Sequence, residues 1–310
     1  MNIFAVILII LIFILIFYVT TTVFLFRYAI LRKKERHKKA KKHSENVKTV
    51  RRMEKGKTDK NNFLSSDFKT LEITSFDGVM LSALYLPAEN PKGTVILFHG
   101  FHSTPVWDFS ESFPYFSSLG FNLIYPFQRG HGKSGGKYVT YGINEGHDAV
   151  LWAETANSLL GCEKPIYVGG ISLGCTTVLM GAGVGYPDNV KGIIADCGFI
   201  SPHGIFTEVM KKSGLPPAPF VWLFGILCRK IADFDIKGYS TLEALENTDI
   251  PIAFIHGECD KLIPCKTTLT VYNAYKGEKH LLTVKNAPHA TSYSHGRTEY
   301  EAILKLLMKD

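Results

Sequence analysis

The sequence predicts an α/β domain, a mainly parallel sheet with helices on both faces, preceded by one membrane-spanning helix. Three observations carry this. Six short apolar runs rich in β-branched residues, each bounded by glycine or proline, recur between residues 94 and 284. Helix-like stretches separate them, and strands alternating with helices build parallel sheets covered on both sides. Ahead of all this, residues Ile3 to Phe26 contain no charged side chain. With 310 residues, 46% of them hydrophobic, the chain is long enough to bury a substantial core.

Taken in chain order, the apolar run comes first. Its 24 residues, at about 1.5 Å each, span about 36 Å as a helix, enough for a bilayer core of about 30 Å. A cleaved signal peptide fits less well, because no basic segment precedes the run, the run is too long, and no small-residue cleavage pattern follows. Residues 27–60 then hold 15 Lys and Arg against 4 Asp and Glu, a net +11 in a chain whose total is only +7. The high pI therefore belongs to this stretch, not to the folded domain. Almost no aromatics are interleaved for base stacking, which argues against nucleic-acid binding, whereas anionic headgroups suit such a juxtamembrane cluster. Cations crowd only the C-terminal flank of the apolar run, so the positive-inside rule places the rest of the chain in the cytoplasm. The expected organisation is a single-pass anchor at 1–28, a basic linker at 29–66 and an α/β domain at 67–310. Membrane lipids are the expected partners of residues 3–26 and of the basic segment.

Phe68 to Ser75 and Val79 to Leu86 read as strands joined at Asp77-Gly78, a strong hairpin signal. The alternating runs follow: Thr94 to Phe98, Asn122 to Tyr125, Ile166 to Val168, Val190 to Ala195, Ile252 to Ile255 and Leu281 to Val284. Glu145 to Leu160 is the clearest helix, and Thr298 to Met308 closes the chain with apolar residues at helical spacing. The connection between the fourth and fifth runs is longer than a crossover needs and is rich in Phe, Leu and Pro. Its apolar segment Leu215 to Cys228 is too short for a second span, so residues 198–248 read as a helical cap, whose apolar side chains either pack a core or line a pocket.

Chemistry enters at Gly170-Ile171-Ser172-Leu173-Gly174. A serine between a strand and a helix, with glycine two residues either side, has the context of a nucleophile elbow. The pattern alone is weak in a chain with 27 glycines. Its weight comes from partners, because a serine hydroxyl needs a general base and a group that orients the base. Asp260 follows the Ile252 run and His289 follows the Leu281 run, so all three emerge at the sheet edge where open α/β sheets place ligands. Asp196, ending the preceding strand, is the competing acid, and His295 the competing base. Backbone N–H groups at Phe101, after the Thr94 strand, and at Leu173, after the serine, are the candidate oxyanion donors. His99, His102 and His131 read as structural. No cofactor is expected and no metal: His256, Cys259 and Cys265 lack a fourth ligand and paired short spacings. The six cysteines are scattered, unlike a disulfide scaffold.

Five segments in this order, Phe98-His99-Gly100, Arg129-Gly130-His131-Gly132-Lys133-Ser134, Gly170 to Gly174, His256 to Asp260 and Ala287-Pro288-His289-Ala290, resemble the α/β-hydrolase superfamily. The chain is most similar to its serine aminopeptidase and monoacylglycerol lipase-like branch, over about residues 68–310. The resemblance implies an α/β-hydrolase fold, a triad of Ser172, Asp260 and His289, and hydrolysis through an acyl-enzyme. One position departs from the family pattern: Phe127 stands where an Asp usually precedes the Arg-Gly-His-Gly loop. A carboxylic ester with a lipid-derived acyl group is the expected small-molecule substrate. A thioesterase or an aminopeptidase uses the same triad, the latter needing an acid such as Glu208 or Asp233 near the amine. A non-catalytic binding protein on the hydrolase fold is the reading from another class, and such proteins commonly lose a triad member. All three members are present here.

Overall fold

The structure, a computed structural model, describes residues 2–32, 47–161 and 164–309, with no side-chain detail for residues 47–55 and 160. Much of the predicted basic segment (33–46) and Cys162 lie outside the described residues. Eight strands form one sheet: β1 (Lys69–Thr74), β2 (Met80–Leu86), β3 (Thr94–Phe98), β4 (Asn122–Phe127), β5 (Ile166–Ile171), β6 (Val190–Asp196), β7 (Ile252–Gly257) and β8 (Lys279–Val284). Their spatial order is β1-β2-β4-β3-β5-β6-β7-β8. The β1–β2 and β2–β4 pairs are antiparallel, and every pair from β4 through β3 to β8 is parallel. The predicted hairpin thus opens an otherwise parallel sheet.

Strands β3, β5, β6 and β7 are apolar on both faces because both are covered, and almost every residue in them is buried. Twelve helices are described: α1 (Ile3–Ile30), α2 (Val47–Leu64), α3 (Pro105–Phe109), α4 (Phe113–Ser118), α5 (Ile143–Leu160), α6 (Leu173–Val184), α7 (Pro202–Lys212), α8 (Pro217–Ile231), α9 (Thr241–Ala244), α10 (Lys266–Ala274), α11 (Ser292–His295) and α12 (Arg297–Met308). One core lies under α3, α4 and α12, joining Leu97, Tyr125 and Ile255 to Phe116 and Leu304. The other lies under α5, α6 and α10, joining Ile96, Val168 and Phe254 to Trp152, Val178 and Val271. Helices α7, α8 and α9 fill the long β6–β7 connection.

The segments before the sheet do more than tether it. Helix α1 is long and apolar enough to cross a membrane, but its last turns pack on the domain. Phe26 and Ile30 share a buried cluster with Leu173, Phe206 and Phe224. Past the helix, Val139 N–H donates to Ile30 O (2.8 Å), Arg32 N–H to Lys137 O (2.9 Å) and the Arg32 guanidinium to Gly132 O (2.7 Å). Part of the stretch read as linker is helix α2, whose end is also fixed: Phe63 is fully buried among Phe68, Phe113 and Tyr125, and Lys60 Nζ lies 3.1 Å above the Trp107 ring. Charge density hides such anchoring from a sequence reading, since one Phe and one Lys supply these contacts.

Candidate active site

Ser172 stands at φ +57°, ψ −113°, between β5 and α6. A non-glycine residue holds such a conformation only when its surroundings over-determine it. The two glycines make it feasible. A Cβ on Gly170 would lie 2.1 Å from the Gly174 carbonyl carbon, and one on Gly174 would lie 1.9 Å from Phe98 O. The turn therefore closes only on hydrogen at both positions. Its direction is fixed by Ser172 N–H, which donates to Asp196 O at 2.9 Å across the β5–β6 pair.

The loops after β7 and β8 bring Asp260 and His289 to the same edge. Ser172 Oγ–H donates to His289 Nε2 (2.9 Å), and His289 Nδ1–H donates to Asp260 Oδ2 (2.6 Å). Asp260 is itself immobilised. Its Oδ1 accepts the N–H groups of Leu262 (2.8 Å) and Ile263 (2.9 Å), and His256 Nε2 lies 3.2 Å from Oδ2. Burial alone would raise this carboxyl, but hydrogen bonds from His256 and His289, the charge of His289 and the Ile263 N–H together hold it well below the usual carboxylate range. It stays ionised, able to fix the imidazole tautomer and to stabilise an imidazolium.

The competing residues fall elsewhere. Asp196 is buried and accepts a hydrogen bond from Ser292 Oγ (2.8 Å), while the His289 Nδ1–H goes to Asp260. His295 bonds Thr291 O within its own short helix. His99 and His131 are structural: burial pushes His99 down to about 4, and burial with the neighbouring His99 pushes His131 down to about 3. Each is neutral at physiological pH, with one ring nitrogen accepting a backbone N–H, from Gln128 to His99 and from His102 to His131. Cys197 with Asp260 and His289 brings three ligand-type atoms within 4.8 Å. The Asp and His atoms are committed to each other, and burial holds the Cys197 thiol protonated, so the donor set is a poor fit for a cation.

Among the described residues the N–H groups of Phe101 and Leu173 find no hydrogen-bond partner. Their loop is close: a Cβ on Gly100 would meet Ser172 Cβ at 3.5 Å. Two supports went unseen in the sequence. Asp108 accepts from Gly100 N–H (2.6 Å) and from Ser103 Oγ (2.5 Å), so the first turn of α3 holds this loop. His256 steadies Asp260 from behind while its Nδ1 accepts from Thr268 Oγ1 (2.7 Å) and its Nε2 donates to Ile263 O (2.9 Å). Neither contact has a local sequence signal, although the i, i+4 spacing of His256 and Asp260 is visible. At the departure from the family pattern, the Phe127 ring lies against Gly132, where it fills the space a Cβ would need.

Ser172 opens on a cavity of about 310 Å³. Phe101, Tyr141, Phe206, Val221 and Phe224 form much of its wall, and among the described residues no carboxylate lines it. Glu208 and Asp233, the sequence candidates for an amine subsite, are absent from that wall, and Glu208 pairs with Lys211 at 3.0 Å. A second cavity, about 390 Å³, lies behind the elbow and is walled in part by Asp108, Glu111, Asp196 and Thr291.

Sheet order, elbow and connections define the α/β-hydrolase fold. Residues 89–233 match the family described as serine aminopeptidase, S33, to which the chain is similar. The protein YqkD of Bacillus subtilis (strain 168), itself uncharacterized, is 27% identical over 256 residues, 79% of this chain and 82% of its own. The fold is shared with the Pyrococcus furiosus esterase Pf2001 (TM-score 0.65, 23% identity, 80% of this chain and 92% of that one). It is also shared with Est1E of Butyrivibrio proteoclasticus, solved with ferulic acid bound (TM-score 0.59, 19% identity, 77% and 98%).

Proposed function

We propose that this hydrolase is a membrane-anchored serine esterase that cleaves carboxylic esters of apolar acyl groups through an acyl-enzyme on Ser172. The observation that carries the reading is His289, bonded to Ser172 Oγ on one side and Asp260 on the other, with the serine facing an apolar cavity. His289 Nε2 takes the serine proton as Oγ attacks the acyl carbon, and the N–H groups of Phe101 and Leu173 receive the developing oxyanion. Each such donor lowers the barrier by about 3 to 4 kcal/mol. The imidazolium then protonates the leaving alkoxide, and a water activated by the same imidazole releases the acid.

Esterase neighbours in the fold and the carboxylate-free cavity favour an ester over a peptide with a free amine. The docked turns of α1 favour a retained anchor, because removal would strip Phe26 and Ile30 from a buried cluster. The basic flank favours a cytoplasmic domain held by membrane lipids.

The test uses the full chain in detergent micelles. A fluorophosphonate should label the wild type and not Ser172→Ala, whose turnover of acyl esters should fall by roughly 10⁴-fold or more. Absence of labelling in folded wild-type protein would mean a non-catalytic binding protein. Faster turnover of aminoacyl arylamides or thioesters than of any oxygen ester would replace the substrate class.

A further inference from the structure

We infer that the last two turns of α1 form a wall of the acyl site, so that the anchor selects the substrate as well as holding the enzyme at the membrane. This deepens, and rests on, the esterase reading. The cavity that contains Ser172 is closed on one side by Leu25, Tyr28 and Ala29 of α1, facing Phe206 and Phe224 of the cap. At about 310 Å³ it has room for a chain of roughly ten carbons, taking the ~30 Å³ of a water-sized group for each. A core helix and a substrate wall are thus the same segment, because Phe26 and Ile30 turn into the cap while Leu25 and Ala29 turn into the void.

The depth of α1 in the bilayer says where the chain comes from. Only Ile3 to Phe17 stand clear of the domain, and 15 residues reach about 22 Å, short of a hydrocarbon core of about 30 Å. Spanning that core takes about 20 residues, which carries the lipid boundary to Thr22. Yet Tyr18 already touches the cap: its Oη donates to Pro219 O (2.6 Å), and its ring sits 5.2 Å from that of Phe220. The start of α8 therefore lies at the depth of the membrane interface. Trp222, 66% exposed on the same helix, suits an interfacial aromatic. From Tyr18 to Leu25 the α1–α8 seam runs about 10 Å along the helix axis, ending at Phe26 and Phe224 with ring centroids 6.0 Å apart. The substrate class this fits is a bilayer-resident acyl ester whose chain passes along the seam to Ser172.

Two variants of the full chain in micelles test the wall, each read on 4-nitrophenyl esters of four and twelve carbons and on displacement of a fluorescent fatty acid by dodecanoate. Ala29→Trp fills the void. It should lower the C12-to-C4 ratio of kcat/KM at least tenfold and weaken dodecanoate binding to a similar extent. Leu25→Ala widens the void and should shift the preference to longer chains, which covers the case in which the Trp variant does not fold. Phe13→Ala, on the lipid-exposed part of α1, should keep the wild-type ratio. Unchanged ratio and dodecanoate affinity in both wall variants would overturn the inference. If no ester is turned over but dodecanoate binding still responds to Ala29→Trp, the wall stands and the esterase reading fails.

Discussion

Asp196 and Asp260 leave neighbouring parallel strands at the same sheet edge, and their surroundings drive them apart. Asp260 collects two backbone N–H groups and two imidazoles and is held ionised. Asp196 is fully buried, and although the Ser292 hydroxyl and the charges of His256 and His289 oppose the effect, burial pushes it up to about 6. The sign of its pH effect follows. Between the ordinary value of 3.8 and about 6 the folded state holds a proton that the unfolded state has released, so stability present below that window is lost as pH rises through it. The shift corresponds to about 3 kcal/mol at most. Asp196→Asn keeps an acceptor for Ser292 and cannot ionise. Denaturant midpoints at pH 4.5 and 7.5 should show wild type losing stability relative to the variant at the higher pH, and an equal offset at both would refute the assignment. The sequence placed both carboxyls at the right edge but could only prefer one, because selection between them rests on the β7 loop swinging Oδ2 to His289. The supporting roles of His256 and Asp108 could not be read for the same reason: although His256 and Asp260 stand at i, i+4, their contacts are set by tertiary approach.

At the level of elements, the elbow was legible and its supports were not. Strand β5, Ser172 and helix α6 follow from a β-rich run, a glycine on each side and a helical run, all within 15 residues or so. The close approach behind it makes a prediction. Gly174→Ala would put a methyl 1.9 Å from Phe98 O, a backbone atom that cannot swing aside. The helix or the strand must move, and the expected cost is about 3 kcal/mol or more. Thermal denaturation should show the loss, together with slower fluorophosphonate labelling as the Ser172 to His289 distance opens. Retention of both would mean that α6 is less tightly seated than its contact with β3 implies. By contrast, no periodicity marks which side of α1 meets the cap, because a uniformly apolar helix presents the same chemistry in every direction. Phe63 on α2 likewise sits among charges that read as a solvated tether.

The described part of the molecule couples the long apolar helix α1, a cap and a sheet edge through one apolar cluster, which makes the orientation of α1 the orientation of the site. Under the proposed function, the asymmetry of Lys and Arg about the apolar run predicts a site on the cytoplasmic side. Cys259 reports on this directly: it is exposed and adjoins Asp260. In intact cells expressing the full chain, a membrane-impermeant maleimide should leave the protein unlabelled. Permeabilised cells should give a label that Cys259→Ser reduces. Labelling of Cys259 before permeabilisation would put the domain outside, and the substrate pool would then be the opposite leaflet. The seam between α1 and α8 would serve either leaflet equally well, since it depends only on the level at which Tyr18 meets Pro219. Under the proposed function, orientation would therefore decide which lipids reach Ser172, whereas the wall formed by Leu25 and Ala29 would decide which of them fit.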